Sequence, residues 1–234
     1  MLLMFMVIMI FLIVALIMSA VVHEVAHGYM AYRLGDNTAK DLGRLTLNPI
    51  KHLDMFGSII LPLVLVLTKS SFFLAWAKPV PYNPYKLKDY RWGDLKVALA
   101  GPGANLILAT FFGLLARFLP IAFSDKIYLT NHFLMGQNDQ LLTMMSGSFA
   151  NSLFAMSIVL CILNLALMIF NLVPIPPLDG SKIAIAFMPA KGREVFYRLE
   201  AYGLIILIVL IALNFFSFIA PIIFSAFSLL TGLK

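Results

Sequence analysis

The chain of 234 residues is 62% hydrophobic and only 12% charged, and its mean hydropathy is +0.95. Soluble domains carry roughly 25% charged residues, so this composition excludes an ordinary soluble domain and indicates an integral membrane protein. The formal charge of +6 does not indicate nucleic-acid binding, because the basic residues lie in short loops between apolar runs, where they suit anionic lipid headgroups.

Apolar stretches long enough to cross a bilayer recur along the chain. A membrane-crossing helix needs about 20 apolar residues. Four stretches reach this length, at roughly 2–32, 94–119, 149–172 and 201–219. The sequence therefore predicts an all-α polytopic membrane protein, a bundle of about 4–6 transmembrane helices. Because no internal repeat or low-complexity linker interrupts it, residues 1–234 are predicted to form a single domain.

The first predicted span ends in an ionisable motif, "HEVAH" at residues 23–27. On a helix, His23 and His27 lie one turn apart on the same face, so both ring nitrogens can reach one zinc ion. Glu24 can then reach a metal-bound water, as the general base of the H-E-x-x-H arrangement does. Two buried polar side chains bonded to neighbouring helices are the alternative. Ionisable groups within spans are rare and usually functional, which favours the metal site.

The region from residue 36 to 92 does not have a helical pattern. "GRLTLNP" alternates apolar and polar residues, and "AKPVPYNPY" contains three prolines, so short strands and turns are expected. The apolar run at 55–68 is short and contains Pro62, which predicts a re-entrant segment or a short span. A small membrane-associated β or re-entrant region is therefore expected between the first and the next full span. The tail, 215–233, is apolar but broken by Pro221, and is expected to be a second leg or an interfacial helix.

The distribution of lysine and arginine predicts the orientation in the membrane. If 55–68 does not cross, the loop region 33–96 holds ten basic residues and 173–200 on the same side holds four, against two in 117–148. If 55–68 does cross, the division is ten against six. The positive-inside bias favours the first arrangement, which places 33–96 and 173–200 in the cytoplasm and the N-terminus outside.

Two histidines leave a catalytic zinc site one protein ligand short, because such sites combine three protein ligands with a water. Cys161 is the single cysteine, which excludes a thiolate cluster. Asp179 stands out, because the prolines of "NLVPIPPLDG" at 171–180 must break the preceding helix and leave this acid at the bilayer edge. Capping of a helix that starts at Gly180 is its alternative role. The remaining candidates are His52, His132, Asp54, Asp139, Glu194 and Glu200.

Together these blocks resemble the site-2 protease family of intramembrane zinc metalloproteases. "HEVAH" at 23–27, "AGPGAN" at 100–105 and "NLVPIPPLDG" at 171–180 occur in the family's order. "LNPIKHLDMFGSIILP" at 47–62 and "WAKPVPYNP" at 76–84 look like its compact members, which lack a PDZ or CBS domain. The likeness extends from about residue 20 to residue 190. Many metalloproteases share H-E-x-x-H, but its occurrence in a first span together with the Asn-x-x-Pro-x-x-x-x-Asp-Gly block in a later one is highly specific.

The resemblance implies a role for each site residue. It implies that His23, His27 and Asp179 bind one Zn²⁺ per chain and that Glu24 is the catalytic base. It further implies that Asn171 holds the substrate backbone or the developing oxyanion.

The roles of several residues near these motifs stay open. Gly101 and Gly103 are expected to allow close approach of helices, and Asn105 either packs or serves the site. His52 and Asp54 are near the site in the family, although ordinary loop residues are a fair alternative.

The function implied is that of an intramembrane zinc metalloendopeptidase. Its partners would be the lipid bilayer and transmembrane proteins or signal peptides, cleaved within or near their apolar segments, and not nucleic acid. The expected location is a bacterial inner membrane, with the active site toward the cytoplasm. A metal transporter and an inactive, chaperone-like relative are the alternatives. The spans beyond the first hold almost no ionisable residues, which disfavours transport, and the intact Glu24 disfavours an inactive protein.

Overall fold

The computed structural model describes residues 2–60, 77–135 and 147–233, and these residues are mostly helical. The helices, numbered in chain order, are α1 Leu2–Arg33, α2 Thr38–Asp41, α3 Gly93–Phe118, α4 Phe123–Leu134, α5 Phe149–Asn171, α6 Asp179–Phe187, α7 Ala190–Glu200, α8 Gly203–Ala212 and α9 Ile219–Thr231. Short 3-10 or π turns lie at Pro49–His52, Met55–Ile60, Pro84–Lys86 and Phe215–Phe218. The described part of the chain is therefore all-α, as the sequence predicts.

Three of these helices are long and apolar enough to cross a membrane. They are Met9–Arg33 within α1, together with α3 and α5, and they correspond to the first three predicted spans. The protein leaves many of their apolar side chains uncovered; Ile107 is 71% exposed and Phe111 is 59% exposed. A surface of this kind would promote aggregation in water, whereas lipid tails cover it in a bilayer. The chain is a multi-pass membrane protein.

The predicted span over 201–219 is not one helix. α8 has only ten residues and follows α7 at a bend of 76°. Gly203 lies at this bend, where a Cβ atom would come within 3.0 Å of the backbone of Pro176. Asn214 then adopts a left-handed φ of 55° and separates α8 from the tail. The described residues thus hold three spans, or four if the bent pair counts as one, and do not support a larger number.

The predicted β region is wrong for the described residues 36–60 and 77–92, which form turns and short helices without a strand. Prolines at 79, 81 and 84 lack the N–H groups that a β ladder requires. Side chains bind the backbone of this segment instead: Arg44 donates to the carbonyl of Lys78 at 2.8 Å. The run at 55–68 begins with the π turn Met55–Ile60, and its remainder lies outside the described residues, so a re-entrant course stays a prediction.

The described chain divides into two compact units. The first comprises Met1–Leu16, Asn105–Leu167 and Phe218–Lys234. Its buried polar groups hold helices together. The Asn105 amide donates to the side-chain oxygen of Asn164 at 2.8 Å, and both residues are fully buried. Such interhelical bonds contribute about 0.6–2 kcal/mol in membranes. Asn105 therefore has the packing role that the sequence left open.

The second unit comprises Ile17–Ala104 and Met168–Ser217. In it the proline-rich segment that follows residue 77 is attached to the end of α1 by the buried Asp36. The Asp36 carboxylate accepts hydrogen bonds from the backbone N–H groups of Thr38 and Asn83, at 3.1 and 2.6 Å. Burial raises the pKa of Asp36, but these bonds outweigh the effect and hold that pKa below its ordinary value. The anchored segment includes Val80 and Tyr82, which line a cavity beside His23 and His27.

Candidate metal centre

The C-terminal part of α1 carries the two histidines. Because they are four residues apart on one helix, their rings are neighbours, with centroids 4.6 Å apart. His23 is 6% exposed and His27 is 8% exposed. Two imidazoles buried side by side in a predominantly apolar helix require a polar partner.

Asp179 reaches these rings from the start of α6. α5 ends at Asn171, and the prolines that follow turn the chain before α6 begins. The turn is tight: a Cβ atom at Gly180 would collide with the carbonyl oxygens of Leu172 and Val173, so only glycine fits. Leu178 occupies the N-cap position and Asp179 is the first residue of α6, so Asp179 is not the N-cap residue of this helix.

Three potential ligand atoms converge within the second unit. Nε2 of His23 lies 3.0 Å from Nε2 of His27, and Oδ2 of Asp179 lies 3.1 and 3.2 Å from these two nitrogens. This is the single group of at least three histidine, cysteine or acidic side chains in the described residues that could hold one metal ion. The structure thus brings together the three residues that the sequence motifs single out.

The contacts around the triangle fit a cation. Nδ1 of His27 lies 2.7 Å from the carbonyl oxygen of Val97, which can only accept, so Nδ1 carries a proton and Nε2 is the nitrogen that could bind a metal ion. Oδ2 of Asp179 is buried and accepts no hydrogen bond from the described residues. Ligands about 2.0–2.1 Å from a tetrahedral zinc ion lie about 3.3 Å from one another, close to the separations observed. Two histidines and a carboxylate are also a donor set typical of catalytic zinc.

A carboxylate must be ionised to bind a metal ion, and the surroundings of Asp179 favour its ionised form. Burial alone would raise the pKa of Asp179. The contacts with His23 and His27 outweigh burial and hold the pKa well below its ordinary value.

Glu24 lines the same cavity, which has a volume of about 140 Å³. Its Oε2 accepts a hydrogen bond from the backbone N–H of Val80 at 2.8 Å. This bond holds the carboxylate on the cavity wall, beside the ligand triangle and not within it. Asn171, the last residue of α5, lines the cavity as well. Both residues therefore have positions consistent with the roles that the family resemblance implies.

The glycines of "AGPGAN" do not serve the same purpose. A Cβ atom at Gly101 would lie 2.6 Å from Cε1 of His27 and 2.7 Å from Cε1 of His23. The backbone of α3 therefore packs directly against both rings. At Gly103 a Cβ atom would meet no atom within 4 Å in the part of the chain that the structure describes. Among those residues, the expectation of close approach is confirmed at Gly101 and is wrong at Gly103.

The other candidates have ordinary structural partners. Nε2 of His52 donates to the carbonyl oxygen of Thr46 at 2.8 Å, and Asp54 accepts from the backbone of Gly57. Glu194 pairs with Arg198 on the exposed face of α7. His132 stacks on Tyr128, and Glu200 lines a second cavity that shares Tyr82 and Lys182 with the metal cavity. Asp139 lies outside the described residues.

Tyr82 and Lys182 also line the metal cavity, although neither belongs to the candidate site residues that the sequence motifs indicate. Lys182 follows Asp179 by three residues, which on a helix places it on the same face. This spacing is the signal by which the sequence indicates it.

The chain was compared with known proteins. The model of the family described as "Peptidase family M50" matches residues 11–214. "Putative zinc metalloprotease YwhC" of Bacillus subtilis is 40% identical over 200 residues, which cover 86% of this chain and 79% of that protein. "Putative zinc metalloprotease Rip2" of Mycolicibacterium smegmatis is 28% identical over 83% of this chain and 64% of that protein. No solved structure matches the chain.

Proposed function

Because this chain belongs to peptidase family M50, the site-2 protease family, and is a zinc metalloprotease, we propose that His23, His27 and Asp179 are its zinc ligands and Glu24 its general base. The convergence of the three ligand atoms within 3.2 Å of one another is the observation that carries this proposal. The metal-transporter and inactive-relative alternatives are not favoured by the family match.

A zinc ion held by these residues supplies a Lewis acid and lowers the pKa of a bound water to about 7. The chain's own groups then handle protons and orientation. The Val97 carbonyl accepts a hydrogen bond from Nδ1 of His27 and so keeps the tautomer that directs Nε2 into the cavity. Histidine ligands of zinc are commonly oriented in this way. Glu24, positioned by the Val80 amide, takes a proton from the attacking water and returns it to the leaving amine.

Asn171 is proposed to hold the substrate at the reacting carbonyl. Its side-chain amide provides N–H donors at the cavity wall, where the carbonyl oxygen gains negative charge during attack. One donor of this kind contributes about 2.7–4 kcal/mol to transition-state stabilisation in proteases.

The substrates are proposed to be transmembrane segments of membrane proteins, or signal peptides left in the bilayer. A transmembrane helix satisfies its own backbone groups, so it must unwind locally before a carbonyl can enter the cavity. We place the protein in the inner membrane of a bacterium, because both relatives are bacterial proteins, with residues 1–234 acting as one protease domain. The excess of lysine and arginine in 33–96 and 173–200 supports a cytoplasmic active site.

Removal of the metal tests this function. Purified protein in liposomes should cleave a co-reconstituted model transmembrane substrate, 1,10-phenanthroline should abolish the cleavage, and added Zn²⁺ should restore it. The reason is that the proposed mechanism depends on the metal ion to lower the pKa of the attacking water. An inhibitor of serine proteases serves as the control and should have no effect. Cleavage that continues in metal-free protein would refute the assignment.

A further inference from the structure

Lys182 is a cation in the metal cavity that the roles above do not use. It is the only lysine or arginine among the described residues that line this cavity. It also forms no ion pair within 4.0 Å with any acidic side chain in the described ranges. A structural salt bridge therefore does not explain why the Lys182 ammonium lies in this cavity.

Tyr82 fixes the direction of the Lys182 side chain. The ammonium nitrogen lies 3.4 Å from the Tyr82 hydroxyl oxygen and 5.0 Å from the centroid of its ring. A tyrosine ring attracts a cation at this distance. The Tyr82 hydroxyl donates its one proton to Asp94, so its oxygen presents lone pairs to the ammonium. Burial, together with the charge of Asp94, raises the pKa of Tyr82 well above its ordinary value, so the hydroxyl keeps that proton.

The charges in the cavity leave Lys182 available for an anion. Glu24 and Asp179 are the carboxylates that line this cavity, and one divalent zinc ion would balance their two charges. Asp94, a third carboxylate nearby, accepts from the Tyr82 hydroxyl. The ammonium has three N–H groups, and Tyr82 accepts from one of them. The cavity therefore presents a positive charge, besides that of a metal ion, from the Lys182 ammonium, which lies one helix turn after Asp179 on the same face.

Peptide-bond hydrolysis creates an anion in this place. The oxygen of water adds to the carbonyl carbon, the C–N bond breaks, and the amine leaves with a proton, so the N-terminal fragment ends in a carboxylate. The carbonyl oxygen is negatively charged from the attack onward. Charge-assisted hydrogen bonds to such groups are roughly twice as strong as neutral ones.

We propose that Lys182 binds the oxyanion and then the carboxylate of the cleaved peptide, and that Tyr82, held by Asp94, is the positioning residue for Lys182. The inference rests on the zinc site proposed above, because that site creates the carboxylate. Lys182 then contributes in two ways: it stabilises the charge that develops during attack, and it retains the N-terminal product.

Binding of product mimics tests the proposal without cleavage. The probes are an acetylated leucine–alanine–leucine tripeptide with a free carboxylate and the same peptide with a carboxamide end. Zinc-loaded wild-type protein should prefer the carboxylate, and Lys182→Met should reduce this preference about tenfold or more. Lys182→Arg should restore most of it, since it keeps the charge. Lys96→Met is the matched control, because Lys96 pairs with Asp89 on the surface and should not affect the preference.

Zinc content separates the possible failures. If wild-type protein holds no zinc, the metal site is wrong and the inference falls with it. If wild-type protein holds zinc and Lys182→Met keeps the full preference for the carboxylate, Lys182 has no anion-binding role and the metal site stands.

In cleavage assays Lys182→Met should lower kcat more than it raises KM. Tyr82→Phe, which retains the ring but not the hydroxyl, should give an intermediate preference. An unchanged preference would exclude Tyr82 as the positioning residue for Lys182.

Discussion

Glu24→Gln should abolish cleavage and leave the zinc ion in place. Glutamine keeps the shape of the side chain and can still accept the bond from the Val80 amide. It cannot take a proton from water at neutral pH, and loss of a positioned general base typically lowers the rate by about 10²–10⁴-fold. Because Glu24 is not one of the three converging ligands, metal affinity should not change.

The measurement pairs the initial rate on a model transmembrane substrate with zinc content by mass spectrometry. Glu194→Gln is the matched control, since Glu194 lies on an exposed helix face beside Arg198 and such pairs contribute little. Its rate should equal that of wild type. Cleavage by Glu24→Gln at more than a tenth of the wild-type rate would exclude Glu24 as the base. The inactive variant should also retain substrate during purification and thereby identify the natural client.

Gly101→Ala should damage the metal site by the addition of one methyl group. The new Cβ atom would overlap the rings of His23 and His27, so either α3 moves away or the rings rotate. A displacement of about 1 Å at an active site can cost about 100-fold in rate. We expect a loss of this size in cleavage, together with weaker zinc binding, because both rings must point at one ion.

Gly103→Ala provides the control on the same helix. Its Cβ atom would contact none of the described residues, and alanine has a helix propensity about 1 kcal/mol better than glycine. This variant should keep wild-type zinc content and rate. If Gly101→Ala behaved like Gly103→Ala, the close packing of α3 on the two rings would not exist in the working enzyme.

The convergence of His23, His27 and Asp179 could be predicted because each part of the group is marked by a short sequence pattern. The spacing of His23 and His27 fixes their relation on any helix. The prolines before Asp179 indicate irregular backbone at the end of a span, where a carboxylate is unexpected. The pairing of these two distant segments came from the family resemblance, since no local rule states which loop meets the first helix.

The predictions that failed depend on tertiary contacts. "GRLTLNP" alternates like a strand, but Gly43 takes a left-handed φ of 63° and the backbone binds side chains instead of a neighbouring strand. The bend at Gly203 arises from contact with the turn at Pro176, which hydropathy cannot reveal. Lys182 and Tyr82 were not singled out for the same reason, because a lysine near a span end ordinarily indicates only membrane orientation.

Anomalous diffraction at the zinc absorption edge, from crystals of the Glu24→Gln protein, is the most direct test of the metal centre. If these residues bind zinc, one strong peak per chain should lie about 2.0–2.2 Å from Nε2 of His23, Nε2 of His27 and Oδ2 of Asp179. A peak bonded to other residues, or a zinc-loaded protein in which Asp179 lies beyond bonding distance of the ion, would contradict it.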